Sequence, residues 1–240
     1  MIKEIIISTF ILFLTGPVFT QTDESFWSNR TSGSNECKKS YEYYRDIFTQ
    51  EKNYENAWKF ARIAYYYADN FVNEPEKKKA VFTQSKDASE IATNLFPGGV
   101  EGHYYLAISI GSWAQANGVL ESLSAVDKII KEATKVIEID PYFQNADGYT
   151  IRARVYHLAP PVISAGDTGK AILDYEKAII YGPGNRTAFR FYAELLMDTD
   201  RKKAKDIIER GLGIPIDRDN ERSDMEEIEN LKKLQARLRN

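Results

Sequence analysis

Two histidines, His103 and His157, and one cysteine, Cys37, are the only imidazole and thiol groups in the 240-residue chain. They stand far apart, and no H-E-x-x-H, no C-x-x-C and no calcium-loop spacing of carboxylates occurs. The pattern therefore predicts no metal site. His103 at a helix start and His157 beside a proline-rich loop read as surface or loop residues. Ala107-Ile108-Ser109-Ile110-Gly111 has the outline of a serine nucleophile elbow. That motif needs a sharp turn after a strand, and this stretch lies inside a helical pattern. Gly182-Pro183-Gly184 and Gly211-Leu212-Gly213 read as helix stops, since no G-x-x-x-x-G-K-[ST] cradle for phosphate exists. Glu226 and Glu227 sit on a charged, solvated helix face. The residues predict a non-catalytic protein without a cofactor.

With chemistry set aside, composition bounds the partners. Net charge is -3 and the isoelectric point about 5.6. Phosphate backbones call for a clustered basic excess, so no nucleic-acid partner is expected. The run Lys77-Lys78-Lys79 follows Glu74 and Glu76 and reads as a solvated helix start. Apolar residues at 43% and charged ones at 28% are ordinary for a soluble globular domain. Fifteen Tyr and twelve Phe supply aromatics for interlocking helices or an aromatic-lined groove.

Lys3 precedes an apolar run over 5–14, followed by a proline-containing break and Val18-Phe19-Thr20. This predicts a secretory signal peptide over 1–20 and export of the mature chain. A membrane span needs about 20 apolar residues and this run is shorter; an uncleaved N-terminal anchor is the alternative. No cysteine stands at the cut, which excludes a lipoprotein, and Cys37 alone leaves no internal disulfide. Residues 21–35 are polar and Ser/Gly-rich and predict a mobile lead-in, with Phe26 and Trp27 as the exceptions able to dock on the body.

From residue 36 to 240 almost everything reads helical, without a period-two stretch long enough for a sheet. The most regular part is 171–183, A-I-L-D-Y-E-K-A-I-I-Y-G-P. Ala171, Tyr175, Ala178 and Pro183 form a sequence of small residue, aromatic, small residue and stop. Small residues admit a neighbouring helix closely, the aromatic fills the gap, and proline forbids another turn. This resembles the second half of a tetratricopeptide (TPR) repeat. Ala88, Ala92 and Leu95 before Pro97 repeat that logic, as do Ile129, Ala133 and Val136 before Pro141, and Ala204, Ile208 and Gly211 before Pro215. First-half helices are expected over 54–69, 101–117 and 187–197 and around Tyr149, Ala153 and Tyr156, with a preceding helix over 37–50. A helix opened by the capping box Ser223-Asp224-Met225-Glu226, with Met225, Ile228, Leu231 and Leu234 on one stripe, closes the exposed end. The expected fold is an all-α, TPR-like solenoid of about four degenerate repeats with a C-terminal capping helix.

Two features depart from a plain repeat. Arg152 stands where a buried Leu is usual, so either the frame slips or Arg152 reaches a carboxylate or the groove. Between His157 and Asp167, H-L-A-P-P-V-I-S-A-G-D, two prolines force a loop longer than the usual turn. In stacked hairpins the first helix of each pair lines the concave side. Lys59, Ile63, Tyr66, Tyr105, Arg190 and Glu194 are therefore the expected groove residues, with Trp113 and Arg152 as further candidates. Tyr65, Tyr156 and Tyr192 are expected between helices.

The run G-H-Y-Y-L-A-I-S-I-G-S-W, the D-P after Ile139, the loop ending S-A-G-D and A-I-L-D-Y-E-K-A-I together resemble the TatT family. These are TPR proteins associated with TRAP transporters in bacteria, and the likeness spans roughly 54–215. W-K-F-A-R-I-A-Y-Y-Y is also similar to the regulator-of-microtubule-dynamics proteins, which share this helical body. The TatT resemblance implies a periplasmic helical protein whose partner is a solute-binding subunit of a transporter, with a groove or pore for a small apolar ligand. The chain departs from that family in lacking its lipoprotein cysteine and in Arg152. The residues alone imply an exported TPR scaffold that binds a protein partner. A small apolar ligand and a general envelope-assembly role are the alternatives, and a homo-oligomer stays open.

Overall fold

The structure, a computed structural model, describes residues 19–239. The apolar run over 5–14, and with it most of the expected signal peptide, lies outside the described residues. Among those residues no strand occurs, and eleven α-helices follow in order. They are α1 Phe19–Ser28, α2 Ser34–Gln50, α3 Tyr54–Phe71, α4 Pro75–Leu95, α5 Val100–Asn117, α6 Val119–Ile139, α7 Phe143–Leu158, α8 Thr168–Tyr181, α9 Arg186–Thr199, α10 Arg201–Leu212 and α11 Glu221–Arg239. None is long and apolar enough to cross a membrane.

Local chemistry sets the starts. Asn53, Asp167, Asn185 and Asp200 each accept a backbone N–H three residues on, and Pro75 opens α4 where its missing donor is harmless. Helices α3/α4, α5/α6, α7/α8 and α9/α10 pair as four stacked hairpins, with α2 before them and α11 against α9 and α10. The small-aromatic-small reading of α8 holds, since Ala171, Tyr175 and Ala178 are all fully buried. Tyr175 stacks on Tyr192 of α9 at 5.7 Å, one inter-repeat contact of the C-terminal core. A second core gathers α2 to α5, and Leu106, Ile110 and Ile129 bridge toward α7.

The first helices of the four pairs run side by side with their N-termini on one edge. Tyr54 Oη donates to Glu101 at 2.7 Å, linking the starts of α3 and α5. Tyr104 Oη donates to Asp147 at 3.0 Å, linking α5 to α7. Asn185 Nδ2 donates to Asp147 at 3.0 Å, linking α9 to α7.

Three expectations are corrected. Where the sequence predicts a mobile lead-in over 21–35, the chain forms α1 and a 3-10 turn, Asn29–Thr31, that dock on α2 and α3. Phe26 stacks on Tyr43 at 3.9 Å, which repays ordering of polar neighbours. Ser223 does not start the last helix. Asp217 caps a 3-10 turn, Arg218–Asn220, and α11 begins at Glu221. Of the α11 stripe, Leu231 and Leu234 are buried but Met225 is exposed, because only the second half of α11 reaches the α9/α10 core.

Helix α7 begins irregularly. Gln144, Asn145 and Ala146 have φ of 49°, 55° and 59°, a left-handed turn that costs non-glycine residues about 1–2 kcal/mol each. Neighbours hold it in place. Asn185 Nδ2 donates to Asn145 O at 3.2 Å, and a Cβ on Gly182 would lie 1.8 Å from that same oxygen.

Candidate functional site

The concave side of the array is partly filled by the chain's own ends. Arg62 on α3 lies 3.6 Å from the centre of the Trp27 ring and 4.9 Å from that of Trp58. Arg30 covers Trp27 from 3.9 Å and donates at 2.9 Å to both Asp219 O and Asn220 Oδ1. Burial pushes the Arg30 guanidinium below its ordinary value. Arg222 reaches back over Phe71 at the end of α3, 4.7 Å away. Residues from the two ends of the chain thus meet across the mouth of the first repeat.

On the other half, α7, α9 and α11 are laced by charge. Arg154 pairs with Glu194 at 2.7 Å, Arg190 pairs with Glu227 at 2.5 Å, and buried Arg186 pairs with Asp224. Arg154 and Arg190 both lie over Phe191, at 3.9 and 3.8 Å.

Between these filled regions lies open space. A cavity of about 240 Å³ is lined by Asp69, Lys78, Phe82, Ser112, Gln115 and Ala116. One of about 430 Å³ is lined by Arg222, Met225, Glu226, Ile228, Glu229 and Lys232 of α11. Arg222 of the α11 cavity lies over Phe71 at the end of α3, two residues beyond Asp69 of the smaller cavity, so the groove along α11 borders the end of α3. The Asp69 carboxylate keeps access to water, yet protein around the concavity raises its pKa; Lys78 opposes this and Glu226 adds to it. The ionic lining balances over the two cavities, with Lys78, Arg222 and Lys232 against Asp69, Glu226 and Glu229 in number. Met225 and Ile228 supply apolar surface. Such a lining matches a peptide segment of mixed charge with apolar anchors.

The eight expected groove residues do not converge. Ile63 is wholly buried in the N-terminal core and lines no groove; this face of α3 packs inward. Lys59 is held by Asp23 and Glu55 at 2.5 and 2.6 Å. Tyr66 lies under Trp27 and Arg30. Tyr105 is buried, stacks on Trp58 at 6.2 Å, and its phenol is pushed up to about 12 by burial. Trp113 is half-buried beside Lys86. Arg190 and Glu194 belong to the charge lattice. Arg152 does reach a carboxylate, gripping Asp174 of α8 at 2.7 and 2.9 Å.

His103 corrects the surface reading. It is buried, with Nδ1 2.6 Å from Glu132 and Nε2 2.9 Å from Pro97 O. Two acceptors require two N–H donors, so the imidazolium fits, and the hydrogen bond with Glu132 raises its pKa. Among the described residues no group of three or more His, Cys, Asp or Glu is placed to hold a metal. Sequence reading missed Asp69, Arg222 and Met225 as groove residues. The signal for Met225 was present as an apolar residue at the polar start of an otherwise charged helix.

A family model described as regulator of microtubule dynamics protein 1-3 matches residues 18–146, just over half of the chain. The match includes the 58–67 segment and stops before the proline loop. No curated protein matches the sequence. Among solved structures, that of MamA is similar with a TM-score of 0.52 at 16% identity, covering 86% of this chain and 96% of that one. A complex of the TPR2AB domain of yeast Sti1 with an Hsp90 peptide has a TM-score of 0.37 at 14% identity, covering 92% and 99%. The likeness to MamA is one of fold.

Proposed function

We propose, given that this chain belongs to the regulator of microtubule dynamics protein 1-3 family, that it is a non-catalytic helical-repeat adaptor gripping a protein partner in the groove along α11 beside the end of α3. The observation that carries this reading is the lining of that groove. Its balanced charges and exposed Met225 suit a peptide chain better than an apolar small molecule, whose site is lined mainly by apolar groups. The family description supports a partner linked to microtubules. Export rests on the N-terminal residues over 1–20, whereas a periplasmic location and a solute-binding transporter subunit as partner rest on the TatT resemblance, whose most specific residues, 157–167, lie beyond the matched family region.

The test uses the full chain and its Arg222→Glu, Met225→Asp variant in co-sedimentation with polymerised tubulin and in pull-down. Met225 is exposed and Arg222 lies at the groove mouth, so the helical circular-dichroism signal should persist. Binding that falls about tenfold or more, as expected for loss of an interface anchor, supports the groove. Undiminished binding by the variant overturns it. Recovery of a solute-binding protein in place of tubulin would favour the transporter reading of the partner.

A further inference from the structure

The face that α2 and α3 turn toward α1 holds a helix by both its main chain and its side chains. Two hydroxyls of α2 bind the main chain, Tyr44 Oη donating to Asp23 O at 2.8 Å and Ser40 Oγ to Phe26 O at 2.7 Å. Three side chains hold its residues. Lys59 meets Asp23 at 2.5 Å, Tyr43 stacks on Phe26 at 3.9 Å, and Arg62 packs on both Trp58 of its own helix and Trp27 of α1. Tyr105 of α5 stacks on Trp58 in turn. The face thus reads Asp23, Phe26 and Trp27, which stand at i, i+3 and i+4 on one side of a helix.

The fit of α1 is incomplete. Arg30 Nε and Arg62 Nε, whose guanidinium groups both lie on Trp27, are buried without a hydrogen-bond partner. Each buried donor left unpaired weakens the docked state. Helix α1 is ten residues long, too short to persist off the surface. It joins α2 through Ser32 and Gly33, and Gly33 has a φ of 137° with open space where a Cβ would stand, so the link is a glycine pivot. Lys59 keeps Glu55 as a partner on its own helix when α1 leaves.

We propose that this face is a docking surface for a partner helix carrying an acidic residue followed three and four positions later by aromatic residues, and that α1 is a built-in ligand which the partner displaces. Lys59 and Arg62 give the exposed face its positive charge, so the acidic residue sets the register. A partner with an acceptor that reaches Arg62 Nε makes the hydrogen bond that α1 leaves unmade, and this difference drives the exchange. The surface is separate from the groove along α11.

The test adds a fluorescein-labelled peptide of residues 21–32 to the full chain and to its Phe26→Ala, Trp27→Ala variant, and reads anisotropy. A tethered arm competes at an effective concentration on the order of mM, so the variant, with its own arm undocked, should bind the peptide about tenfold or more tighter than the native chain. Peptides with Phe26→Ala, Trp27→Ala or with Asp23→Lys should bind about tenfold or more weaker. An alanine-rich helical peptide keeping only the acidic residue and the two aromatics at this spacing should compete with the labelled one. On the native chain, saturating unlabelled peptide should quicken amide exchange over 23–31, a readout that stands even if the variant does not fold. Equal affinity for native and variant chains, no loss with the altered peptides, no competition by the alanine-rich helix, or unchanged exchange over 23–31 overturns the proposal. So does peptide binding that vanishes in the Arg222→Glu, Met225→Asp chain, which would mean that the peptide occupies the α11 groove.

Discussion

Arg152 on α7 and Asp174 on α8 form a two-pronged ion pair, 2.7 Å through Nε and 2.9 Å through Nη2. Asp174 is only 5% exposed, so the pair fixes one hairpin from within, and Arg152 also donates to Thr134 of α6 at 3.0 Å. An arginine at a position expected to be leucine thus serves inter-helix packing. Arg152→Leu should destabilise by about 3 kcal/mol, because the Asp174 charge stays buried without its partner. Adding Asp174→Leu should recover most of that loss. Urea denaturation of the two single variants and the double variant measures the coupling.

The two histidines should shape opposite limbs of the pH–stability curve. His103 has a folded pKa raised above 6.5 by Glu132. Its contribution is therefore complete below 6.5 and is lost as pH rises through the folded value. His157 has a folded pKa lowered by burial and by Arg154, so its unfavourable effect appears as pH falls below 6.5. His103→Gln should flatten the loss above 6.5, and His157→Gln should flatten the loss below it. Unfolding free energies across pH, each variant subtracted from the parent, read the two limbs separately.

The left-handed turn at the start of α7 makes opposite predictions for neighbouring residues. Gln144 is exposed with φ of 49°, so Gln144→Gly should stabilise by up to about 1 kcal/mol. Gly182→Ala would drive a methyl into the Asn145 carbonyl, a backbone clash that should cost more than 2 kcal/mol or so. Thermal melts with calorimetry distinguish the two directions.

Arg30 clasps the two ends of the chain. Arg30→Ala removes its hydrogen bonds to Trp27 O, Asp219 O and Asn220 Oδ1. Amide exchange should quicken over 23–31 and 217–222 and stay unchanged in α5 and α8. Arg30→Lys should not restore protection, since an ammonium cannot span the three acceptors as the planar fork does. Unaltered exchange in 217–222 would mean that the ends do not support each other.

How much of this was legible in the residues follows from the range of each interaction. The hairpins could be read because their determinants are local. Asn53, Asp167, Asn185 and Asp200 cap within three residues, Pro75 opens α4, and Ala171, Tyr175 and Ala178 recur at helical spacing. The docking of α1 was not legible, because Phe26, Trp27 and Arg30 find Tyr43, Arg62 and Asp219 at separations from 17 to 189 residues. His103 misled for the same reason, as its acceptor Glu132 lies on another helix.

The sequence by itself determined an all-α array of TPR-like pairs, since apolar periodicity, small-residue spacing and stop signals act within a single helix or turn. Only the tertiary structure decided which concave residues stay open. The first-helix faces bearing Lys59, Tyr66, Arg190 and Glu194 are already occupied by α1, by α11 and by each other. The open groove falls along Arg222 and Met225 of α11, where Arg222 lies over Phe71 at the end of α3. Exposure is a property of what else packs nearby, and no local pattern encodes it.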